Sequence, residues 1–345
     1  MSSPITCRAV FSLSLLAPAA TCWGLPAHYH LTDLGPASEA LHVNASGVAS
    51  GIDARNGANS PAIWIDGAVT DLATINGWGA AEGINASDVA AGNVVNAAGF
   101  TTAATWASDG TLTDLGAVIG AASSDAPAIN DLGDCLVNAR LPDGTSHAYI
   151  APGCTGAGLV DYAGRHVHGV SGVAINSKGQ VAGTAGFGHK MTHAFLYTKG
   201  KLKDLGVLAG FETSEGRALN AKGHVVGRSQ TAGGKYHKSM GQFWNGQTLS
   251  AIGTLGGQQS IANGINAGDI VVGISQNPET FWRPFVRDMG TAGSRMIDLN
   301  TILDGSGAGW TLIRPLGIND AGQIVVTAVV AGDNVLRSAI LTPAD

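Results

Sequence analysis

An asparagine preceded by Ile, Leu or Val recurs at Asn44, Asn85, Asn130, Asn176, Asn220, Asn266 and Asn319, a spacing of about 46 residues. Repetition at a fixed interval constrains the fold more than local propensity does, because each unit must bury its apolar face against its neighbour. The unit is clearest from Ala174 to Gly206, which reads as four short strands. Ala174-Ile175-Asn176 enters a turn at Ser177-Lys178-Gly179, and Gln180 to Gly183 follows. Ala194-Phe195-Leu196-Tyr197 is the third strand, and Leu202 to Gly206 the fourth.

The other motifs keep the same count. The third strand returns as Ala62-Ile63-Trp64, Ala104-Thr105-Trp106, Ala148-Tyr149-Ile150, Gln242-Phe243-Trp244, Pro284-Phe285-Val286 and Ala339-Ile340-Leu341. The fourth returns as Asp33-Leu34-Gly35, Asp71-Leu72-Ala73, Asp114-Leu115-Gly116, Asp161-Tyr162-Ala163, Ala251-Ile252-Gly253 and Asp298-Leu299-Asn300. Counting the Ala174 to Gly206 copy, each motif occurs seven times. Four-stranded propeller blades repeat every ~40–45 residues, whereas solenoid coils of ~20–30 residues carry fewer strands.

The chain opens on a fourth strand, Tyr29 to Gly35, and closes just after a third, Ser338 to Thr342. The two remnants make one repeat. A ring would join them, whereas an open solenoid would leave edges needing caps. The expectation is an all-β, seven-bladed β-propeller of four-stranded blades, its last three strands completed by the N-terminal one. A β-solenoid is the alternative.

Residues 1–27 read as a signal peptide: Arg8, a short apolar run from Ala9 to Ala20, then small residues at Ala17 to Ala20 or Leu25 to Ala27 for cleavage. The run is too short to span a membrane. Residues 28–345 read as one exported domain, periplasmic or extracellular. Net charge of −6 and a pI near 5.9 give no electrostatic footprint for nucleic acid.

Cys135 and Cys154 flank a hairpin about Pro142-Asp143-Gly144-Thr145, which places residue 135 opposite roughly residue 152. A disulfide is expected if the end loop bends back. The repeated Asn, followed by Gly, reads as turn chemistry rather than a ring of ligands. The Asp of Asp-Leu-Gly reads as a tie from a strand end to a backbone N–H. Asn138 and Thr327 are read as replacing the Gly that closes the second strand in repeats three and seven.

Together the Ile-Asn-x-x-Gly-x-Val-x-Gly, Ala-Phe and Asp-Leu-Gly elements resemble the bacterial extracellular HAF repeat family. Its name tripeptide stands intact at His193-Ala194-Phe195 and in part at His147-Ala148-Tyr149. The resemblance covers nearly all of the chain after residue 27. It implies an exported repeat protein, with no established activity or catalytic residues.

In a propeller the first-to-second and third-to-fourth turns share one face, here short and repetitive. The other face carries the variable loops, where binding usually resides. Trp78, Phe211 and Trp310 fall between repeats; Phe100, Phe187, Tyr236 and Trp282 fall in or beside second-to-third-strand loops, with His189 and His237 among them. They are candidate ligand-binding residues, either a stacking platform for a sugar or peptide or covers over their own blade edges. All eight lysines lie in repeats four and five, either an anion-attracting sector or a solvated edge.

The chain holds no Gly-x-Ser-x-Gly elbow, His-Glu-x-x-His, Walker loop or dinucleotide fingerprint, and implies no cofactor or metal. The leading reading is a non-enzymatic binding module whose partner is a glycan, an envelope polymer or a protein. The alternatives are a polysaccharide lyase or hydrolase drawing on His166, His168, His189 or His193, and a structural surface or matrix protein. Glu212 and Glu215 read as solvated loop residues.

Overall fold

The computed structural model describes residues 24–162, 168–188, 191–231, 238–333 and 335–344. These residues form seven four-stranded antiparallel sheets arranged in a ring, a seven-bladed β-propeller. The innermost strands are Ser38–Val43, Gly79–Ile84, Ser123–Ile129, His168–Ile175, Thr213–Leu219, Ser260–Ile265 and Trp310–Ile318, defining blades 1 to 7 in that order.

Short apolar runs such as Ile324–Val330 supply the second strands, whose β-branched side chains suit a sheet covered on both faces. The apolar residue of each Asp-Leu-Gly motif is the wedge between blades. Leu34, Leu72, Leu115, Tyr162, Leu205, Ile252 and Leu299 are all buried. Polar stitches join the same surfaces: Trp64 Nε1 donates to the Leu34 carbonyl at 3.1 Å and Trp106 Nε1 to that of Ala73 at 2.8 Å. Buried serines repeat a second stitch, the amides of Ala103, Ala194 and Gly241 donating to Ser124, Ser214 and Ser260 of the next blade.

The N-terminal strand His28–Pro36 is the outer strand of blade 7. It pairs antiparallel with Arg337–Ala344, from His28 opposite Ala344 to Pro36 opposite Arg337. A loop from blade 6 clasps its start, the Tyr29 amide donating to the Ile302 carbonyl at 2.8 Å and the Asp304 amide to that of Tyr29 at 2.9 Å.

Each innermost strand carries a β-bulge just before its Asn, seen as register breaks at Ala40/His42, Ala81/Gly83, Asp125/Ala128, Gly172/Ala174, Gly216/Ala218, Ala262/Gly264 and Pro315/Gly317. The bulge explains the Gly of Val-x-Gly. A Cβ on Gly51, Gly92, Gly183, Gly227 or Gly273 would lie about 2 Å from a carbonyl oxygen of the facing bulged strand. That Gly is therefore a close-approach residue in mid-strand, not part of a turn. The pairing also corrects its substitutes: Val137 and Val326, rather than Asn138 and Thr327, occupy the position in blades 3 and 7. In blade 3 the ladder breaks there, leaving Ala126 and Pro127 without partners between Asp125 and Ala128.

Candidate functional site

The seven repeat asparagines end the innermost strands and are buried, with 3–7% exposure. Their first role is turn chemistry: Asn176 Oδ1 accepts from the amides of Lys178 at 3.0 Å and Gln180 at 3.1 Å, Asn44, Asn85, Asn130, Asn220 and Asn266 repeat the pair, and Asn319 accepts from Gln323. Their second role joins blades. Each Nδ2 donates to the backbone carbonyl of the next Asn: Asn44 to Asn85 at 2.9 Å, Asn85 to Asn130 at 3.3 Å, Asn130 to Asn176 at 3.2 Å and Asn176 to Asn220 at 3.0 Å. Asn220 reaches Asn266 at 2.9 Å, Asn266 reaches Asn319 at 3.2 Å, and Asn319 returns to Asn44 at 2.8 Å. A side chain so committed in both directions is scaffold.

Second amide protons find partners too. Asn130, Asn176 and Asn319 turn theirs to Asp134, Gln180 and Gln323 of their own turns. Asn44 and Asn220 instead reach Asp88 and Asp269 of the next blade at 2.7 and 2.8 Å. Those two Asp stand where the other turns have Gly, with φ of +57° and +64°, so a polar side chain tolerant of that region gains a partner in exchange for strain.

Inside this ring lie two cavities of the central channel, which share Ile129, Ile175, Leu219, Ile265 and Ile318 as lining. The cavity on the turn side, about 200 Å³, is bordered by the Asn ring, Asp131 and Asp320. The cavity on the loop side, about 220 Å³, is bordered by the bulge residues, among them Leu41, Glu82, Pro127, Val173, Arg217 and Asn263. His42 borders both. At its level the other strands contribute Gly83, Ala128, Ala174, Ala218, Gly264 and Gly317, so one imidazole stands where six blades have Gly or Ala. Burial within the barrel of strands lowers the His42 pKa, with Asp131 acting the other way.

Charge is placed asymmetrically around the loop-side cavity. On blade 2, burial pushes the Glu82 carboxyl up to about 7, assisted by Asp125 and opposed by Asn93, whose amide donates to Glu82 Oε1 at 2.5 Å. Asp125 is raised as well, chiefly by burial, and accepts from Asn138 at 3.0 Å. Across the channel on blade 5, Glu215 accepts two bonds from Arg228 at 2.9 and 3.0 Å and one from Arg217 at 3.3 Å. Arg217 also donates to Asn263 at 3.0 Å. Glu215 is thus a half-buried strand residue organising two guanidiniums, and the expectation of a solvated loop residue is wrong for it. Glu39 and Arg314 pair beside the mouth.

The described candidate rim residues are spread over blades 2, 4, 6 and 7 and the loop between blades 4 and 5. Trp78 and Phe100 sit on blade 2, 36% and 58% exposed, and Trp282 begins the third strand of blade 6 at 42%, next to Phe281 at 62%. Phe187 lies against His193 with ring centroids 6.0 Å apart and packs on the blade 4 core. Trp310 packs against the blade 7 core, and Phe211 is half-buried between blades 4 and 5. Among the described residues no ring contact joins two of these aromatics. His189, Tyr236, His237 and His166 lie outside the described residues, as do Lys190, Lys235 and residues 1–23; the side chain of His168 is likewise not described.

The histidine of the tripeptide is structural. His193 Nδ1 meets Asp204 at 2.9 Å and His147 Nδ1 meets Asp161 at 2.8 Å, clamping the outer strand, and Arg337 does the same to Asp33 at 2.8 Å. The Asp also caps its own strand end, Asp204 accepting from the Gly206 amide at 2.7 Å. Lys222 pairs with Asp269 at 2.7 Å and Lys203 lies over Trp244 at 4.2 Å. Cys135 and Cys154 are disulfide-bonded, with Cα atoms 4.9 Å apart, through a single turn of 3₁₀ helix at Pro152–Cys154 that bends the chain back. Among the described residues no cluster of three or more His, Cys, Asp or Glu could hold a metal ion, and no helix is long and apolar enough to cross a membrane.

No family model matches the chain, and no curated protein matches it in sequence. Solved structures match at low identity. They include the acylaminoacyl peptidase of Pyrococcus horikoshii, at 10% identity and TM-score 0.54 over 90% of this chain and 53% of that one. The β-propeller domain of the trilobed protease of Pyrococcus furiosus matches at 12% and 0.48 over 92% and 96%. The BP39L lectin of Burkholderia pseudomallei matches at 11% and 0.42 over 93% and 99%. This chain spans about half the peptidase's length, and these likenesses concern fold alone. The class is the seven-bladed β-propeller.

Proposed function

We propose that this chain is an exported, non-enzymatic binding module that presents its loop face to a glycan or other envelope polymer. The carrying observation is the exposure of Trp78, Phe100 and Trp282 on that face, where aromatic rings offer stacking area to sugar faces. The opposite face is occupied by short turns whose Asn side chains are consumed in holding the ring. The resemblance to HAF repeats and the apolar N-terminal segment support export. The test is binding of residues 28–345 to a panel of neutral and acidic polysaccharides at two salt concentrations. Salt-insensitive binding to a neutral polymer supports the aromatic rim, binding that fades with salt points to the lysines, and no binding to any polymer overturns the glycan reading.

A second reading, a polysaccharide-acting enzyme, rests on Glu82. A carboxyl held near 7 beside a second carboxyl is suited to general acid catalysis. Release of reducing ends or unsaturated sugars by the wild type, and its loss in Glu82→Gln, would establish this reading over the first.

A further inference from the structure

The bulges that set the propeller's inner surface also choose what faces the channel. A bulge re-aims the extra residue's side chain. Four of the seven bulge residues on the loop side are Leu41, Pro127, Val173 and Leu316, which give the cavity apolar walls. The remaining three are Glu82, Arg217 and Asn263. Blades 2 and 5 stand across the ring from each other, so a carboxyl and a guanidinium oppose one another over a cavity of about 220 Å³.

Neither group has a counter-charge of its own in its surroundings, and burial correspondingly favours the neutral form of Glu82. Among the described residues no cation lies within ion-pair distance of Glu82, which is held by the neutral Asn93 amide. Arg217 shares its one carboxylate, Glu215, with Arg228, which already occupies both oxygens, so the blade 5 wall keeps a net positive charge. A buried charge left without a partner is costly, and a ligand supplying that partner recovers the cost.

We propose that the loop-side cavity of the channel is a binding site for a small zwitterion of amino-acid type, its ammonium facing Glu82 and its carboxylate taken by Arg217. Asn263, bonded to Arg217, holds the guanidinium at the cavity wall, and the apolar bulge residues cover the carbon skeleton between the two ends. This site is separate from the aromatic rim, so polymer capture and zwitterion binding stand or fall independently.

The test is calorimetric titration of residues 28–345 with 4-aminobutyrate, 6-aminohexanoate and glycylglycine, set against butylamine and butyrate. At least one zwitterion is expected to bind ten-fold or more tightly than either singly charged compound. Glu82→Gln, which keeps an acceptor for Asn93, is expected to weaken that binding at least ten-fold with an unchanged circular dichroism spectrum. Arg217→Lys, which keeps the charge but loses the planar fork, is expected to weaken it as well. Silence from all three zwitterions, equal binding of the singly charged compounds, or full affinity in folded Glu82→Gln would overturn the proposal.

Discussion

The side-chain amide of Asn319 donates to the backbone carbonyl of Asn44 at 2.8 Å, across 275 positions of sequence. It is the seventh of seven equivalent bonds. The side chain that makes each blade's first turn thereby also fastens that blade to the next, and turn formation is coupled to ring assembly.

Asn176→Ala is expected to cost about 2 kcal/mol, because it removes at once the acceptor of two part-buried amides and the inter-blade donor to the Asn220 carbonyl, which keeps only its own turn's bond from Gly223. Asn96 is the control: its Oδ1 accepts from Ala98 and Phe100 in the same turn geometry, but on an exposed loop with no neighbouring blade. Asn96→Ala is expected to cost about 1 kcal/mol. Urea unfolding separates the two, and equal costs would mean that the ring adds nothing to the turns.

Gly227→Ala places a Cβ 1.9 Å from the Glu215 carbonyl oxygen, in the strand that also carries Arg217. A loss of about 3 kcal/mol is expected. Gly305→Ala, with open space around the new Cβ, is expected to change stability by less than about 0.5 kcal/mol. Comparable midpoints for the two variants would refute the close-approach role.

A chain beginning at Ala37 lacks the strand that pairs with Arg337–Ala344 and exposes that strand's edge. It is expected to self-associate beyond the state of the full-length chain, and addition of a peptide of residues 28–36 to reverse that association in sedimentation profiles. A fully stable shortened chain that associates no further than the full-length one would show that the ring does not depend on this strand.

Glu82 carries a pH signature. Its carboxyl is raised from the usual 4.5 to about 7 by burial and by Asp125, against the Asn93 bond; His42 and Arg217 border the same cavity. Because the neutral form is favoured in the fold, its contribution is fully present below about pH 4.5 and is lost as pH rises through about 7. The penalty above pH 8 is at most about 3 kcal/mol. Glu82→Gln is therefore expected to raise the melting temperature relative to the wild type at pH 8 and not at pH 4.5. A difference independent of pH would contradict the assignment.

The blade count was legible because the Asn and Asp-Leu-Gly signals mark both ends of every blade, and a strand period of two leaves little freedom between them. The inter-blade bond was not, since Asn176 is fully accounted for within its own turn by the Oδ1 acceptor, and nothing in one repeat shows where Nδ2 points. Glu82 and Arg217 did carry a readable signal: each stands three residues before the repeat Asn, where Leu41, Val173 and Leu316 are apolar. The bulge that turns that position into the channel is a backbone feature, visible only in the strand register. Among the rim aromatics, sequence could not separate Trp78 and Phe100, which are exposed, from Trp310 and Phe187, which pack on their own blades. For that reason Trp310→Ala tests stability rather than binding.

The loop face as binding surface is tested most directly by comparing two triple variants on whichever polymer the wild type retains. Trp78→Ala, Phe100→Ala and Trp282→Ala together are predicted to reduce capture at least ten-fold without lowering the melting temperature. Lys178→Ala, Lys199→Ala and Lys201→Ala together, all on the turn face, are predicted to leave capture unchanged. Capture lost with the turn-face set and kept by the aromatic set would contradict the account.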